Sequence, residues 1–420
     1  MTVENEVRSP AEVRRARYLG ITYLLLAAFV LWFFGVGSWG DGSAAFGMAR
    51  PIDTFSEIPD LSIPAGPLGV AVAVVLAFLG GVQLMRGFGR WQNRVLAIAF
   101  VLFIFAFLGW AAAGNSFNLV SMLRAAVERS TPITLGALAG LLGERVAVIN
   151  IAIEGQLLAG AFAGAVVGSI AGNAWAGVLG AIGAGVLLGW VLAVLAIRYR
   201  VDQIIIGVVI NMFVLGLTSF LMLRVLSRNP HLNSPPTLRS WRIPGLGDIP
   251  VIGPILFDQT VFVYGSLILV AVLAYGLFHT RWGLRARSVG EHPRAADTVG
   301  VNVYRYRYLN VLLGGAVAGF GGAYFTIGTV GRFDENMTTG RGFIALAAMI
   351  FGRWHPVGAL SAGLIFGFAD ALAGKLGVLQ TGIPSEFLLM APYLLTLVVV
   401  TGIIGKARPP AADGAAYVKE

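Results

Sequence analysis

Three carboxylates sit inside, or at the mouth of, long apolar runs: Glu154, Asp202 and Asp370. A carboxylate in hydrocarbon costs roughly 2.5 to 3.5 kcal/mol on insertion scales, so each needs a partner or a cavity. Glu154 lies in the run that begins at Val146, with Asn150 one turn before it and Gln156 two residues after. Asn150 and Glu154, spaced i and i+4, share a helix face, and Gly155 admits a neighbouring backbone. Such a patch suits hydrogen bonding along a substrate pathway; it equally suits a polar seam between helices or the cap of a broken helix end. Asn211 stands two turns beyond Asp202 and Gln203 in the run that follows, a weaker set of the same kind. Asp202, beside Arg200, reads as a boundary residue. For Asp370 an interhelical contact and a cavity wall are both open.

Other chemistries lack their residues. With no cysteine there is no disulfide, thiolate nucleophile or Cys-ligated zinc. His279, His292 and His355 fall in connecting segments, and no pair has metal-ligand spacing. Gly374-Lys375 is followed by Leu376 and Gly405-Lys406 by Ala407, so no phosphate-cradling G-x-x-x-x-G-K-[ST] loop is present. Nucleophile elbows and His-Glu-x-x-His helices are missing too, which argues against a membrane protease or hydrolase. The sequence predicts no catalytic residue, no metal site and no cofactor held by this chain.

The elements that position these residues follow from composition. Of 420 residues, 57% are hydrophobic and 12% charged, half the charge of about 25% usual in soluble domains. The 56 glycines suit close helix packing in lipid. The net charge of +9 is almost all arginine, with lysine only at Lys375, Lys406 and Lys419; it reads as cytoplasmic loop charge, not a nucleic-acid patch. A span needs about 20 apolar residues. Full spans are predicted at 18–39, 66–85, 95–114, 146–171, 174–197, 204–226, 261–278, 309–330, 357–373 and 387–404, with short pieces at 132–142 and 343–351. The fold class is an all-α polytopic membrane protein of about 10–12 transmembrane segments, some of them short or broken. The first run, after Arg8, Arg14, Arg15 and Arg17, reads as a retained signal anchor.

Arginine in the 86–94 turn, Arg198, Arg200, the 280–308 loop and Arg408 fall on one side if both short pieces cross, which places both termini in the cytoplasm. The Pro- and Gly-rich stretch 227–259 opposes the rule with Arg228, Arg239 and Arg242 and reads as an external loop. Residues 137–145 echo 345–353, each an apolar piece ending in arginine; a duplicated transporter core and chance alignment of Ala/Leu/Gly-rich helices both account for it. The predicted domains are an amino-terminal extension with about three transmembrane helices (1–125), a core (126–405) and a cytoplasmic tail (406–420). Within the loop 279–308, Pro293 can open and Gly300 can close a short helix over Arg294 to Val299. That alanine-faced rod can seat in a groove on another protein, or lie on anionic headgroups through Arg281, Arg285, Arg287, Arg305 and Arg307.

Three stretches resemble one family: Glu144 to Gln156 (ERVAVINIAIEGQ), Val289 to Gly300 (VGEHPRAADTVG) and Gly340 to Ala347 (GRGFIALA). They are similar, in order, to the permease subunits of bacterial ABC importers for nucleosides, which belong with the ribose-type and branched-chain amino-acid permeases. Asn150, Glu154 and Gly155 match the membrane motif directly, while Ala152 stands where glycine is commoner. The resemblance implies a non-enzymatic, multi-pass transporter subunit of the bacterial plasma membrane working by alternating access. It implies a cytoplasmic ABC ATPase that holds ATP and Mg, a second homologous permease and an extracytoplasmic substrate-binding lipoprotein as partners. Glu291, His292, Pro293, Arg294, Ala295, Ala296, Asp297 and Gly300 are then the coupling segment, and Asn150, Glu154, Gln156 and Asn211 line the substrate pathway. The cargo is a small molecule, nucleosides ranking ahead of sugars, purine bases and branched-chain amino acids. The rival reading is a secondary transporter driven by an ion gradient, with Glu154 or Asp370 carrying a proton.

Overall fold

A computed structural model describes residues 10–40, 42–49, 59–379, 390 and 408–419. The expected span at 387–404, and Lys406, lie outside the described residues. The chain divides into two compact units, 1–121 with 375–383 and 122–374 with 384–420.

In the first unit, α1 (Pro10–Phe29) continues in wider turns through Val36, and α2 (Ala65–Met85) and α3 (Gln92–Ala111) follow. These are the three spans read from the apolar runs. Phe34 joins Phe103, Phe107 and Trp110 in one aromatic core with centroids 5.5 to 5.9 Å apart. A small sheet accompanies them, which the apolar runs do not announce. Strands β1 (Ser43–Gly47), β2 (Leu61–Pro64) and β3 (Ser116–Asn118) pair in the order β2-β1-β3, antiparallel then parallel. Strands of three to five residues are too short for an alternating pattern to register.

The second unit contains α4 (Leu119–Glu144), α5 (Ile153–Ala171), α6 (Ala174–Ala193), α7 (Gln203–Leu221) and α8 (Val261–His279), then α9 (Arg281–Glu291) and α10 (Pro293–Thr298), then α11 (Val303–Ala323), α12 (Arg341–Phe351) and α13 (Pro356–Leu379). Among the described residues of the whole chain, nine helices are long and apolar enough to cross a membrane, and Arg341–Phe351 is a shorter apolar one. Helices α5, α6 and α11 pack backbone to backbone. A Cβ on Gly185 would lie 2.1 Å from the Gly315 carbonyl oxygen, and one on Gly315 would lie 2.3 Å from that of Gly185. Only glycine fits there, and the bare backbones give the close approach that dispersion requires in lipid.

Two expectations need correction. The apolar piece at 132–142 is not a half-length helix: α4 runs unbroken for 26 residues with Pro132 inside it. The Ser130 and Thr131 hydroxyls bond back to the Val127 carbonyl at 2.7 and 3.1 Å, one residue before the Glu128 carbonyl that Pro132 leaves without its helical donor. Conversely, 146–171 is not one helix. The chain leaves α4 through a turn in which Ala147 has φ 61°, and α5 starts only at Ile153. Asn150 therefore precedes the helix that carries Glu154, and the expected i, i+4 face does not exist.

The two echoed pieces end alike. After α4 comes the turn at Ala147; after α12 comes a turn with Arg353 and Trp354 at φ 55° and 53°. The Arg145 guanidinium donates from Nε to the Trp354 carbonyl at 3.0 Å, so the turns adjoin. They share a face with α9 and α10: a Cβ on Gly290 would lie 2.4 Å from the Arg145 carbonyl oxygen.

Candidate functional site

The irregular stretch between α4 and α5 cannot use its own backbone ladder, so side chains complete it. Asn150 Oδ1 accepts from the Ala152 N–H at 3.1 Å and its Nδ2 donates to Gln156 Oε1 at 3.1 Å. Asn211 reaches across from α7, donating to the Ile151 carbonyl at 2.8 Å and accepting from the Gly155 N–H at 2.7 Å. Gly155 abuts the Asn211 backbone, where a Cβ would lie 3.2 Å from Asn211 Cα. The Gln156 Nε2 is buried with no hydrogen-bond partner among the described residues.

Glu154, in the first turn of α5, faces the first turn of α12. Its Oε1 accepts from the Thr338 hydroxyl at 2.6 Å and the Gly340 N–H at 2.8 Å, and its Oε2 from the Gly342 N–H at 2.6 Å. A helix start carries unpaired N–H groups and the positive end of the helix dipole, which a carboxylate satisfies. Gly340 enters that turn at φ 79°, and a Cβ on Gly342 would lie 2.5 Å from Glu154 Cα. The motifs at 144–156 and 340–347 are thus two halves of one buried junction. All four expected pathway residues gather there, each engaged by backbone or by another of the four.

A second polar cluster lies beside it. Asp370 of α13 pairs with Arg129 of α4 at 3.4 Å and with Arg341 of α12 at 3.3 Å, and Arg129 Nη1 also donates to the Asp370 carbonyl at 2.6 Å. The Arg341 guanidinium stands 5.7 Å from the Phe325 ring centre. One turn before Arg129 along α4, Arg124 binds Glu128 at 2.9 Å and Asp258 at 3.2 Å. At 1.5 Å per residue, Asp370 lies about 21 Å along α13 and Arg129 about 22 Å along α4 from the α10 face. The Asp370, Arg341 and Arg129 side chains are 23%, 24% and 38% exposed. Sequence reasoning left Asp370 between two explanations and missed both arginines.

On the α10 face the sequence expectation for a Pro-to-Gly rod is met by α10, with Gly300 at φ 84° just beyond. Arg294, Ala295, Thr298 and Val299 are exposed, whereas Ala296 is buried. Glu291 and His292 lead into the rod, exposed, and Asp297 is half-buried. No group of three or more His, Asp or Glu residues able to hold a metal occurs among the described residues.

Residues 121–400 match the family model described as the permease component of branched-chain amino acid transport systems. The guanosine ABC transporter permease protein of Bacillus subtilis is 43% identical over 302 residues, covering 69% of this chain and 94% of that one. The nucleoside ABC transporter permease protein of Lactococcus lactis is 41% identical over 316 residues, covering 72% and 99%. A putative glucose ABC transporter permease protein of Haloferax volcanii is 35% identical over 255 residues, covering 60% and 76%. No solved structure matches the chain.

Proposed function

The chain belongs to the family of permease components of branched-chain amino acid transport systems, and from that premise we propose that it is the transmembrane permease subunit of an ATP-binding cassette importer for nucleosides. It is a multi-pass plasma-membrane protein and a transporter component, not an enzyme. What carries the cargo assignment is likeness across 94% and 99% of two relatives named for guanosine and nucleoside transport.

In this reading, both termini and α10 lie on the cytoplasmic side. A separate ATPase holds ATP and Mg, a second homologous permease completes the pore, and an extracytoplasmic binding lipoprotein delivers the solute. The ATPase seats against the exposed side of α10: Arg294, Ala295, Thr298 and Val299, with Glu291, His292, Pro293, Ala296, Asp297 and Gly300 fixing the rod. The solute path runs beside Asn150, Glu154, Gln156 and Asn211 and past the Arg129–Asp370–Arg341 cluster and Phe325. A nucleoside is neutral, with hydroxyls and base edges for hydrogen bonding and a flat base for stacking. The cluster offers two guanidinium groups, a carboxylate and a phenyl ring, and the Gln156 amide adds a buried donor. Because both Glu154 oxygens hold the α12 junction, its part is to fix the hinge that reorients, not to shuttle a proton.

Uptake of labelled guanosine into cells carrying the four-component system tests the function. Uptake should stop on ATP depletion and survive an uncoupler at constant ATP. Uptake that persists without ATP and dies with the uncoupler assigns the chain to ion-driven transport instead.

A further inference from the structure

The carboxyl-terminal residues fold back over the α10 face. Ala411 N–H donates to Glu291 Oε2 at 3.1 Å and Ala412 N–H to the Gly290 carbonyl at 3.0 Å, just before α10 begins. In the last turn of α10 the strap is held again: Lys419 Nζ stands 3.6 Å from Asp297 Oδ1, and the Tyr417 hydroxyl lies beside Asp297. Between these ends, Gly414 accepts from Gln203 Nε2 at 3.4 Å and Ala415 from Arg307 Nη1 at 3.0 Å, while the Tyr417 ring packs 5.3 Å from that of Tyr304. Tyr417 is 5% exposed.

A six-residue helix does not hold itself together. Its place is set by what grips its ends, and here the strap grips both. The strap leaves Arg294, Ala295, Thr298 and Val299 uncovered, so it holds the rod without masking it. In the middle of the strap, the Asp413 carboxyl lies against the Glu144 carboxyl at the end of α4, and two carboxyl groups can hydrogen-bond only if they share a proton.

We propose that residues 409–419 form a strap that positions α10 for energy coupling, seated on the Glu144–Asp413 carboxyl pair. This rests on α10 being the element through which the ATPase acts. A strap that merely filled space would not respond to the protonation of its seat; this one does. Burial pushes both carboxyls up; the charge of Asp413 adds to the rise of Glu144, to about 8, whereas the contact with Glu144, the Gly414 backbone and Arg307 hold the rise of Asp413 to about 6. The pair is faced by Trp354 after α12, which donates to Glu144, and by Arg307 of α11; Arg145 follows Glu144 in the chain, with Arg287 and Glu291 of α9 around it, and Tyr304 and Tyr417 flank Arg307. Both carboxyls bind their protons more tightly with the strap seated. Seating is therefore strongest below the ordinary carboxyl range and weakens as pH rises, levelling off above about 8.

The test uses the assembled permease pair and ATPase in proteoliposomes, with labelled guanosine and ATP hydrolysis measured together. Tyr417→Ala should lower uptake about tenfold, within the span of known coupling mutations, while the ATPase stays bound and hydrolyses ATP unproductively. Tyr417→Phe should retain most uptake. Uptake by the wild type should fall as the pH on the α10 side rises from about 6 to about 8.5, and Glu144→Gln, which keeps a hydrogen bond without a charge, should flatten that profile. Unchanged uptake in Tyr417→Ala, release of the ATPase by it, or a pH profile identical in Glu144→Gln would overturn the proposal. A wild-type complex with no ATP-driven uptake would refute the importer reading instead, before the strap is in question.

Discussion

Glu154 Oε2 accepts a 2.6 Å hydrogen bond from the N–H of Gly342, 188 residues further along the chain. With Oε1 on Gly340 N–H and the Thr338 hydroxyl, one side chain stands in for the turn that would otherwise precede α12. A helix that starts inside the membrane has no water to satisfy its first N–H groups, and Glu154 supplies that satisfaction from a different helix.

Removing it should therefore be a structural injury. Glu154→Ala leaves two buried N–H groups and a hydroxyl unpaired and should cost about 2 to 4 kcal/mol. Glu154→Gln keeps the shape but turns an amide donor toward an N–H, and should fall between alanine and wild type. Thermal unfolding in detergent measures both, and a glutamine variant as stable as wild type rules out the capping role.

Glycine at the α6–α11 crossing should be irreplaceable where the backbones meet and dispensable where they do not. Gly315→Ala places a methyl 2.3 Å from the Gly185 carbonyl oxygen and should cost about 1 to 3 kcal/mol or more. Gly183, where an added methyl would meet nothing within 4 Å, serves as the control: Gly183→Ala should be neutral or stabilising by up to about 1 kcal/mol. Equal unfolding temperatures for the two variants would refute the close-packing account.

The two alanines of α10 should separate docking from folding. Ala295 is exposed and Ala296 is 3% exposed. Ala295→Trp should leave the unfolding temperature in place yet abolish ATPase co-purification and uptake. Ala296→Trp should lower stability by about 1 to 3 kcal/mol through overpacking. If Ala295→Trp transports normally, α10 is not where the ATPase seats.

Much of this was legible in the sequence. Apolar runs located most of the described spans within several positions, because hydrocarbon thickness fixes helix length, but they began α4 at 132 where it starts at Leu119, and α5 at 146 where it starts at Ile153. Pro293 and Gly300 marked α10, because each residue suits only one end of a helix. Two kinds of feature stayed hidden. The break between Glu144 and Ile153 carries no proline or polar run; Val146 to Ala152 is apolar but for Asn150, and the tertiary partners Asn211 and Gln203, bonding to Ile151 and Ile149, with Asn150 bonding to Ala152, complete its backbone in non-helical form. Likewise the strap at 409–419 is short and rich in alanine and proline, and its seat on Glu144 depends on a pairing across the fold that no local pattern encodes.

Asp370 offers the sharpest test of the polar cluster, because its two roles respond differently to compensation. Asp370→Asn leaves Arg129 and Arg341 facing each other across a site about 20 Å from the α10 face, without the charge between them. Breaking a buried pair costs about 3 to 5 kcal/mol; with side chains 23% to 38% exposed, about 1 to 2 kcal/mol is expected here. Adding Arg341→Gln removes the excess charge and should recover most of that stability. It also takes away the guanidinium beside Phe325, so guanosine uptake by the double variant should stay at least about fivefold below wild type, the loss of roughly one charge-assisted hydrogen bond. Recovery of unfolding temperature and uptake together would mean that the cluster only holds α4, α12 and α13 in register, whereas recovered stability with persistently weak uptake places Arg341 on the path of the solute.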